Sequence, residues 1–150
     1  MAENQDKGLP RRAIWPAAAA FTVPRHVLGG PGYQAPSDTL NIAGVGVGGM
    51  GRRYLQGCES ERIVALCDVD QNFAARVFQK YPKASVYRDF RQMFDKEKGI
   101  DAVIVATPDH NHAIVLTEAL RRKKAVYGAK PLTHTLHELR TVVNAAREAR

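Results

Sequence analysis

The chain has 150 residues, of which 45% are hydrophobic and 25% are charged, an ordinary balance for one globular domain with a sizeable core. Its net charge of +7 is compatible with an anionic ligand, but the dense basic run at residues 121–124 lies at a predicted helix end without interleaved aromatic residues, so we expect no nucleic-acid partner. No apolar run reaches the roughly 18 residues of a membrane span, and Cys58 and Cys67 lack the spacing of a metal site.

The N-terminal residues 1–39 are predicted to lie outside the fold. Arg11 and Arg12 precede an uncharged, Ala-rich stretch at residues 13–23, which is the layout of a twin-arginine secretory signal. This interpretation predicts an exported, periplasmic protein. The alternative is a disordered cytoplasmic tail, because Pro16 interrupts the apolar stretch. Residues 24–39 are rich in Pro and Gly and are predicted to be an extended linker.

A glycine-rich turn follows the first predicted strand, residues 40–45. Its sequence GVGGMG fits the pattern G-x-G-x-x-G and precedes a predicted helix. In a dinucleotide site Gly46 permits the tight turn, Gly48 lets the backbone approach a pyrophosphate, and Gly51 lets the helix pack closely on the sheet. The pyrophosphate would lie at the helix N-terminus, where free N–H groups and the helix dipole favour an anion.

A carboxylate follows the second predicted strand, residues 62–67. Asp68 lies close to the roughly 20-residue spacing from the glycine turn that is expected of a ribose-binding acid. A carboxylate there accepts hydrogen bonds from the adenosine ribose and repels a 2′-phosphate, which favours NAD over NADP. The alternative is that Asp68 caps the helix beginning near Gln71, although Asp70 is better placed for that task.

The rest of the chain continues to alternate between strand and helix patterns. Five strands that alternate with helices predict a doubly wound, parallel α/β sheet with the strand order 3-2-1-4-5. The predicted strands after the first two span residues 84–87, 101–106 and 125–128, and the predicted helices span residues 52–58, 71–81, 89–96 and 111–122, with a last helix from Thr135.

Two of these helices carry a defined apolar face at helical spacing. On the helix at 71–81 the residues predicted to face inward are Phe73, Ala74, Val77 and Phe78. The last helix has a capping box formed by Thr135 and Glu138, and its predicted apolar stripe consists of Leu136, Leu139, Val142, Val143 and Ala146.

Three polar clusters follow the ends of predicted strands. They are the glycine turn, residues 107–112 (TPDHNH) and Lys130-Pro131. Because ligands of an open parallel sheet lie beyond the carboxyl ends of its strands, we expect these clusters to gather at one edge. His110 is predicted to be a loop residue, and we expect no metal site because two histidines in a loop lack further ligands.

The order of these motifs, GVGVGGMG, CDVD, ATPDHNHA and AKPLTHT, resembles the glucose–fructose oxidoreductase, inositol dehydrogenase and MocA (Gfo/Idh/MocA) family over residues 40–150. The segment PRHVLGG also resembles that of exported bacterial members. The resemblance implies a Rossmann-type domain that binds NAD(P), with hydride transfer between nicotinamide and a sugar, polyol or glycoside carbon. Some relatives use this redox step to cleave glycosides, so a fragment of an NAD-dependent glycosidase is an alternative.

The resemblance also implies roles for particular residues. Lys130 would reach the nicotinamide ribose and the substrate, where its ammonium would orient the reacting hydroxyl and assist proton transfer, which makes it the candidate catalytic residue. The other implied cofactor-binding residues are Gly46, Gly48, Met50 and Gly51 at the pyrophosphate, Asp68 at the ribose, and Thr107, Pro108 and His112 at the nicotinamide side.

Two features depart from the family pattern. Ala129 replaces the family's glutamate, which removes a carboxylate from the nicotinamide end, and the sequence stops at Arg150, before the C-terminal domain that holds the substrate in relatives. We therefore expect a fragment that binds NAD weakly, turns over negligibly unless that domain is supplied, and associates with copies of itself. The alternative is a non-catalytic nucleotide-binding module, whereas a methyltransferase fits the TPDHNHA and KP segments poorly.

Overall fold

The computed structural model describes residue 35 and residues 38–149. The predictions for residues 1–34, including the twin-arginine segment and the export that depends on it, lie outside the described residues and stay predictions. The chain divides into two units, residues 1–35 and residues 36–150, and the helices and strands below all belong to the second unit.

Five parallel strands form one sheet in the order β3-β2-β1-β4-β5. The predicted fold class and strand order are therefore confirmed, and the order reverses between β1 and β4. The strands are β1 (Asn41–Val45), β2 (Arg62–Cys67), β3 (Ser85–Tyr87), β4 (Ala102–Val105) and β5 (Ala125–Gly128), and the helices are α1 (Gly51–Gln56), α2 (Gln71–Lys80), α3 (Phe90–Lys96), α4 (Asp109–Arg121) and α5 (Leu136–Glu148).

The two faces of the sheet bury two separate apolar clusters. Val103 and Val105 of β4 pack in one cluster with α3, α4 and α5, whereas Ile104 between them packs in the other with α1 and α2. A strand that is covered on both faces has no solvent-facing positions, which explains the unbroken apolar run in its sequence. Among the described helices none is long and apolar enough to cross a membrane.

Helix α4 begins two residues earlier than predicted. Pro108 occupies the N-cap position, and the N–H of Asn111 donates to its carbonyl at 2.8 Å. Asp109 is the first helical residue, where an acidic side chain complements the helix dipole. The prediction that His110 is a loop residue is therefore wrong, because it belongs to the first turn of α4.

The apolar faces of α2 and α5 are only partly as predicted. On α2, Ala74 and Val77 are buried, but Phe73 is 64% exposed because it lies in the first turn, beyond the end of β2. On α5 the buried residues are Val142 and Ala145. Leu136 is 75% exposed and Val143 is also exposed; the two are seven residues apart and share a flank of the helix that is turned away from the buried face.

Candidate functional site

A cavity of about 550 Å³ lies beyond the carboxyl ends of β1, β2, β4 and β5, within the size range of small-molecule sites. The three polar clusters do gather there, as the topology predicted. Gly48 and Gly51 belong to the same turn but do not contribute to the lining. The predicted site residues that line the cavity are Gly46, Met50, Asp68, Thr107, Pro108, His112 and Lys130.

The glycine turn packs tightly against the end of β4. Gly46 has a φ of +79°, and a Cβ atom there would lie 2.6 Å from the backbone nitrogen of Thr107. A Cβ atom on Gly51 would collide with the carbonyl oxygen of Gly46. Both positions therefore require glycine, one for its backbone conformation and one for the close approach of α1 to the turn.

Gly48 has a different environment from the one expected. A Cβ atom there would collide with the ring of Phe73, and the Gly48 N–H donates to Asp68 Oδ2 at 2.9 Å. Its amide is thus directed at a protein carboxylate. The ring of Phe73 covers this part of the turn and contributes to the cavity wall.

Asp68 and Asp70 divide two tasks between them. The Asp68 carboxylate accepts from Gly48 and, through Oδ1, from the Asp70 N–H at 3.0 Å. Asp70 caps α2 by accepting from the N–H groups of Asn72 and Phe73 at 3.1 and 3.0 Å. The predicted cap at Asp70 is confirmed, and the alternative that Asp68 caps the helix is wrong. Each Asp68 oxygen accepts one backbone bond and keeps capacity for a ligand hydroxyl.

Two of the helices that begin at the cavity, α1 and α4, have no side-chain cap. Asp70, Asp89 and Thr135 cap α2, α3 and α5, but the residues at the N-caps of α1 and α4, Met50 and Pro108, make no side-chain capping bond. Both Met50 and Pro108 line the cavity. The first N–H groups of a helix have no intrahelical partner, so two uncapped helix ends favour an anionic ligand here.

His112 is buried, with 2% of its surface exposed. Its Nε2 lies 2.6 Å from the carbonyl oxygen of Thr107, and its Nδ1 lies 2.8 Å from that of Pro131. The polar atoms of the ring are thus directed at protein carbonyls. The Thr107 Oγ1 is buried and has no hydrogen-bond partner among the described residues.

Lys130 lies two residues beyond β5 and is exposed to the cavity. Its ammonium makes no hydrogen bond or ion pair with any of the described residues, and the Lys130–Pro131 peptide bond is cis. Ala129, where the resemblance implies a glutamate, also lines the cavity. Within this lining the cavity has a cation on the β5 side and the carboxylates of Asp68 and Asp109 elsewhere.

Apart from Ala106 and Ala129, four side chains of the lining were not predicted as site residues from the sequence. Asp109 and Val69 stand inside the TPDHNH and CDVD motifs and could have been included with them. Phe73 was assigned to the core by its helical spacing. Tyr54 carries no motif, and its ring packs edge-on against Tyr127 with centroids 5.3 Å apart.

Cys67 lies directly before Asp68 but does not offer a reactive thiol. Burial, followed by the nearby charges of Asp68 and Asp89, raises the pKa of the Cys67 thiol to about 12. The group is therefore a protonated, apolar core side chain at neutral pH. In the part of the chain that the structure describes, no three side chains of His, Cys, Asp or Glu come together as metal ligands.

Comparison with known proteins gives a consistent picture. The model of an oxidoreductase family with an NAD-binding Rossmann fold (Gfo/Idh/MocA) matches residues 40–150. The inositol 2-dehydrogenase of Rubrobacter xylanophilus is 31% identical over 116 residues, which is 75% of this chain and 33% of that protein. The chain thus spans about a third of the length of the curated relatives it matches.

Solved structures share the fold. The WlbA dehydrogenase from Chromobacterium violaceum, in complex with NADH and UDP-GlcNAcA, matches with a TM-score of 0.69 at 21% identity, over 74% of this chain and 33% of that one. KijD10, a 3-ketoreductase from Actinomadura kijaniata in complex with TDP-benzene and NADP, matches with a TM-score of 0.65 at 23% identity, over 74% of this chain and 36% of that one. Structures similar to this chain therefore contain either form of the nicotinamide dinucleotide.

Proposed function

The chain belongs to the Gfo/Idh/MocA oxidoreductase family and carries its NAD-binding Rossmann domain; on that premise we propose that the cavity holds NAD in preference to NADP. The feature that supports this preference is the carboxylate of Asp68, which lines the cavity and is held in place by two backbone N–H groups. A fixed anion accepts hydrogen bonds from ribose hydroxyls and repels a 2′-phosphate.

The site fits a dinucleotide at its centre as well. The glycine turn leaves no room for side chains at Gly46 and Gly51, and the uncapped ends of α1 and α4 open on the same space. A pyrophosphate there would accept hydrogen bonds from backbone N–H groups that have no side-chain acceptor.

Lys130 is the proposed catalytic residue, at the nicotinamide end beside Thr107 and Pro108. NAD, when bound, supplies the hydride acceptor. The ammonium of Lys130 has no partner among the described residues, so it is free to donate a hydrogen bond to the oxygen of a substrate hydroxyl and orient that group. The substrate class that we propose is a sugar, polyol or glycoside.

Residues 40–150 form the proposed dinucleotide-binding domain, and the cavity lies at the edge of its sheet. Hydride transfer needs a carbon held over the nicotinamide and shielded from water. We therefore expect turnover to require a surface that covers the nicotinamide end of the cavity. Ala129 lines the cavity at a position where the family resemblance implies a glutamate, which favours one alternative, a nucleotide-binding module without turnover.

Calorimetric titration with NAD and NADP tests the proposal. We expect the wild-type chain to bind NAD more tightly than NADP, and Asp68→Ala to weaken NAD binding about tenfold because hydrogen bonds to a charged group are lost. Asp95→Ala is the matched control, since it removes an exposed carboxylate of α3 that pairs with Arg122 away from the cavity. Equal NAD affinities for the wild type and Asp68→Ala would remove Asp68 from the site, and no NAD binding by the wild type would reject the proposal.

A further inference from the structure

The ring of His112 lies between two loops of the cavity. One loop follows β4 and contains Thr107, and the other follows β5 and contains Lys130 and Pro131. The two ring nitrogens are 2.6 Å from Thr107 O and 2.8 Å from Pro131 O. A carbonyl only accepts, so each contact is a hydrogen bond when the nitrogen that faces it carries a hydrogen.

The contact with Pro131 is important because the loop after β5 has few other attachments. The Ala129 N–H donates to Val105 O at 2.8 Å, and from His134 onward the loop is held by Glu138 of the capping box. Between these two points, the bond to His112 is the one hydrogen bond that joins residues 130–132 to the rest of the described structure.

We propose that His112 is a positioning residue for the nicotinamide end of the site. By donating from Nδ1 to the carbonyl of Pro131, it fixes the backbone from which the Lys130 side chain extends. A ring with a hydrogen on both nitrogens also donates from Nε2 to the carbonyl of Thr107 and so fixes the opposite wall. This inference rests on the proposed function, since it assigns the two loops to the nicotinamide. The polar atoms of His112 act on the protein, and its effect on the cofactor is indirect.

A residue that positions the nicotinamide end and a residue that only supports the core have different effects on the binding of two ligands, NAD and ADP-ribose. The adenosine and pyrophosphate parts of NAD would contact Asp68 and the glycine turn, with which His112 makes no hydrogen bond. Loss of the His112 bonds would therefore weaken the binding of NAD, which has a nicotinamide. The binding of ADP-ribose, which lacks a nicotinamide, would be unchanged. A general loosening of the core would weaken the binding of both ligands.

The test compares His112→Phe, which fills the space without N–H donors, with His112→Gln, which keeps one donor. Thr117→Val is the matched control, because Thr117 is also buried on α4 but its hydroxyl has no partner among the described residues. For His112→Phe we expect NAD affinity to fall about tenfold, ADP-ribose affinity to stay within about twofold, and the fluorescence enhancement of bound NADH to be lost. We expect His112→Gln to restore part of the NAD affinity and Thr117→Val to match the wild type.

Backbone relaxation by NMR provides a readout that needs no ligand. We expect residues 130 and 132 to become more mobile on the ps–ns timescale in His112→Phe and not in Thr117→Val. Unchanged mobility would overturn the inference whether or not NAD binds, and so would an equal loss of NAD and ADP-ribose affinity. A wild-type chain that binds neither ligand would overturn the proposed function and the cofactor part of this inference, while the relaxation data would still decide whether His112 holds the loop.

Discussion

Gly46 is the residue at which backbone conformation and packing act together. Its φ of +79° lies in the left-handed region, and its Cα faces the backbone of Ala106 and Thr107. An added Cβ atom would have to displace backbone atoms of the two residues that follow β4, which cannot move aside as the end of a flexible side chain can.

We expect Gly46→Ala to lower the free energy of unfolding by about 1–3 kcal/mol, the usual cost of a backbone held in a sparsely populated region, with steric repulsion added to it. Urea unfolding measures the change. Gly99→Ala is the control, because a Cβ atom at Gly99 would meet nothing within 4 Å. If both variants unfold at the same urea concentration, Gly46 does not have the packing role assigned to it.

The residue types of the site were readable from the sequence, but their hydrogen-bond partners were not. Spacing alone identified Asp68 and distinguished it from the cap at Asp70. Spacing did not show that the carboxylate of Asp68 holds the Gly48 amide, because that contact depends on how β2 and the turn after β1 lie side by side. The same holds for His112, whose partner Pro131 belongs to another loop.

At the scale of single elements, α5 has the most complete local stabilisation. Thr135 and Glu138 form a reciprocal capping box, in which Thr135 Oγ1 accepts from the Glu138 N–H at 3.2 Å and Glu138 Oε2 accepts from the N–H groups of Thr135 and His134. The Thr135 N–H, the largest cause, and the other groups around the cap lower the pKa of the Glu138 carboxyl from its ordinary value.

We expect Thr135→Ala to destabilise the chain by about 1 kcal/mol at neutral pH, as is usual for the loss of an N-cap. Thermal unfolding measures the change.

Because the pKa of Glu138 is lower in the folded state, the stabilisation from its carboxylate is present above the ordinary pKa of 4.5 and is lost as the pH falls through the folded-state value. Glu138→Gln should therefore cost stability at pH 7 and much less at acidic pH. An equal cost at both, measured by thermal unfolding, would contradict this assignment.

Element types and strand order were predictable because hydrophobic periodicity and topology rules act over many residues. The ends of helices and the residues on their buried faces were less predictable, because they depend on contacts with a few neighbouring atoms. Helix α4 starts at Asp109 because Pro108 occupies the N-cap position. The exposure of Phe73 depended on where the first turn of α2 lies relative to the end of β2, which its spacing along the helix cannot show.

At the scale of the whole second unit, the described residues cover the face of the sheet near β5 only partly. An apolar groove of about 470 Å³ runs between α1 and the strands β4 and β5. Tyr127 of β5 is 56% exposed beside it, and within the described residues β5 pairs on one side only, with β4. An uncovered apolar face next to a sheet edge favours association.

We expect the chain to self-associate with increasing concentration, and Tyr127→Lys to reduce this by placing a charge on the groove. Leu136→Lys is the control, because Leu136 is an exposed apolar residue on α5, on the opposite face of the sheet. Static light scattering over a concentration series measures the mass. A constant monomer mass for the wild-type chain, or equal association of both variants, would contradict the assignment of this face.

The two uncapped helix ends at the cavity also bear on how the protein persists in a cell. At the other helices a side-chain oxygen of the protein accepts hydrogen bonds from the first N–H groups. At α1 and α4 a bound dinucleotide would supply these acceptors instead. Such a ligand adds stability by mass action, about 2.7 kcal/mol at a hundredfold excess over its Kd. The proposed cofactor would then stabilise the fold as well as take part in the reaction. The lifetime of the folded protein would depend on the concentration of nicotinamide dinucleotide.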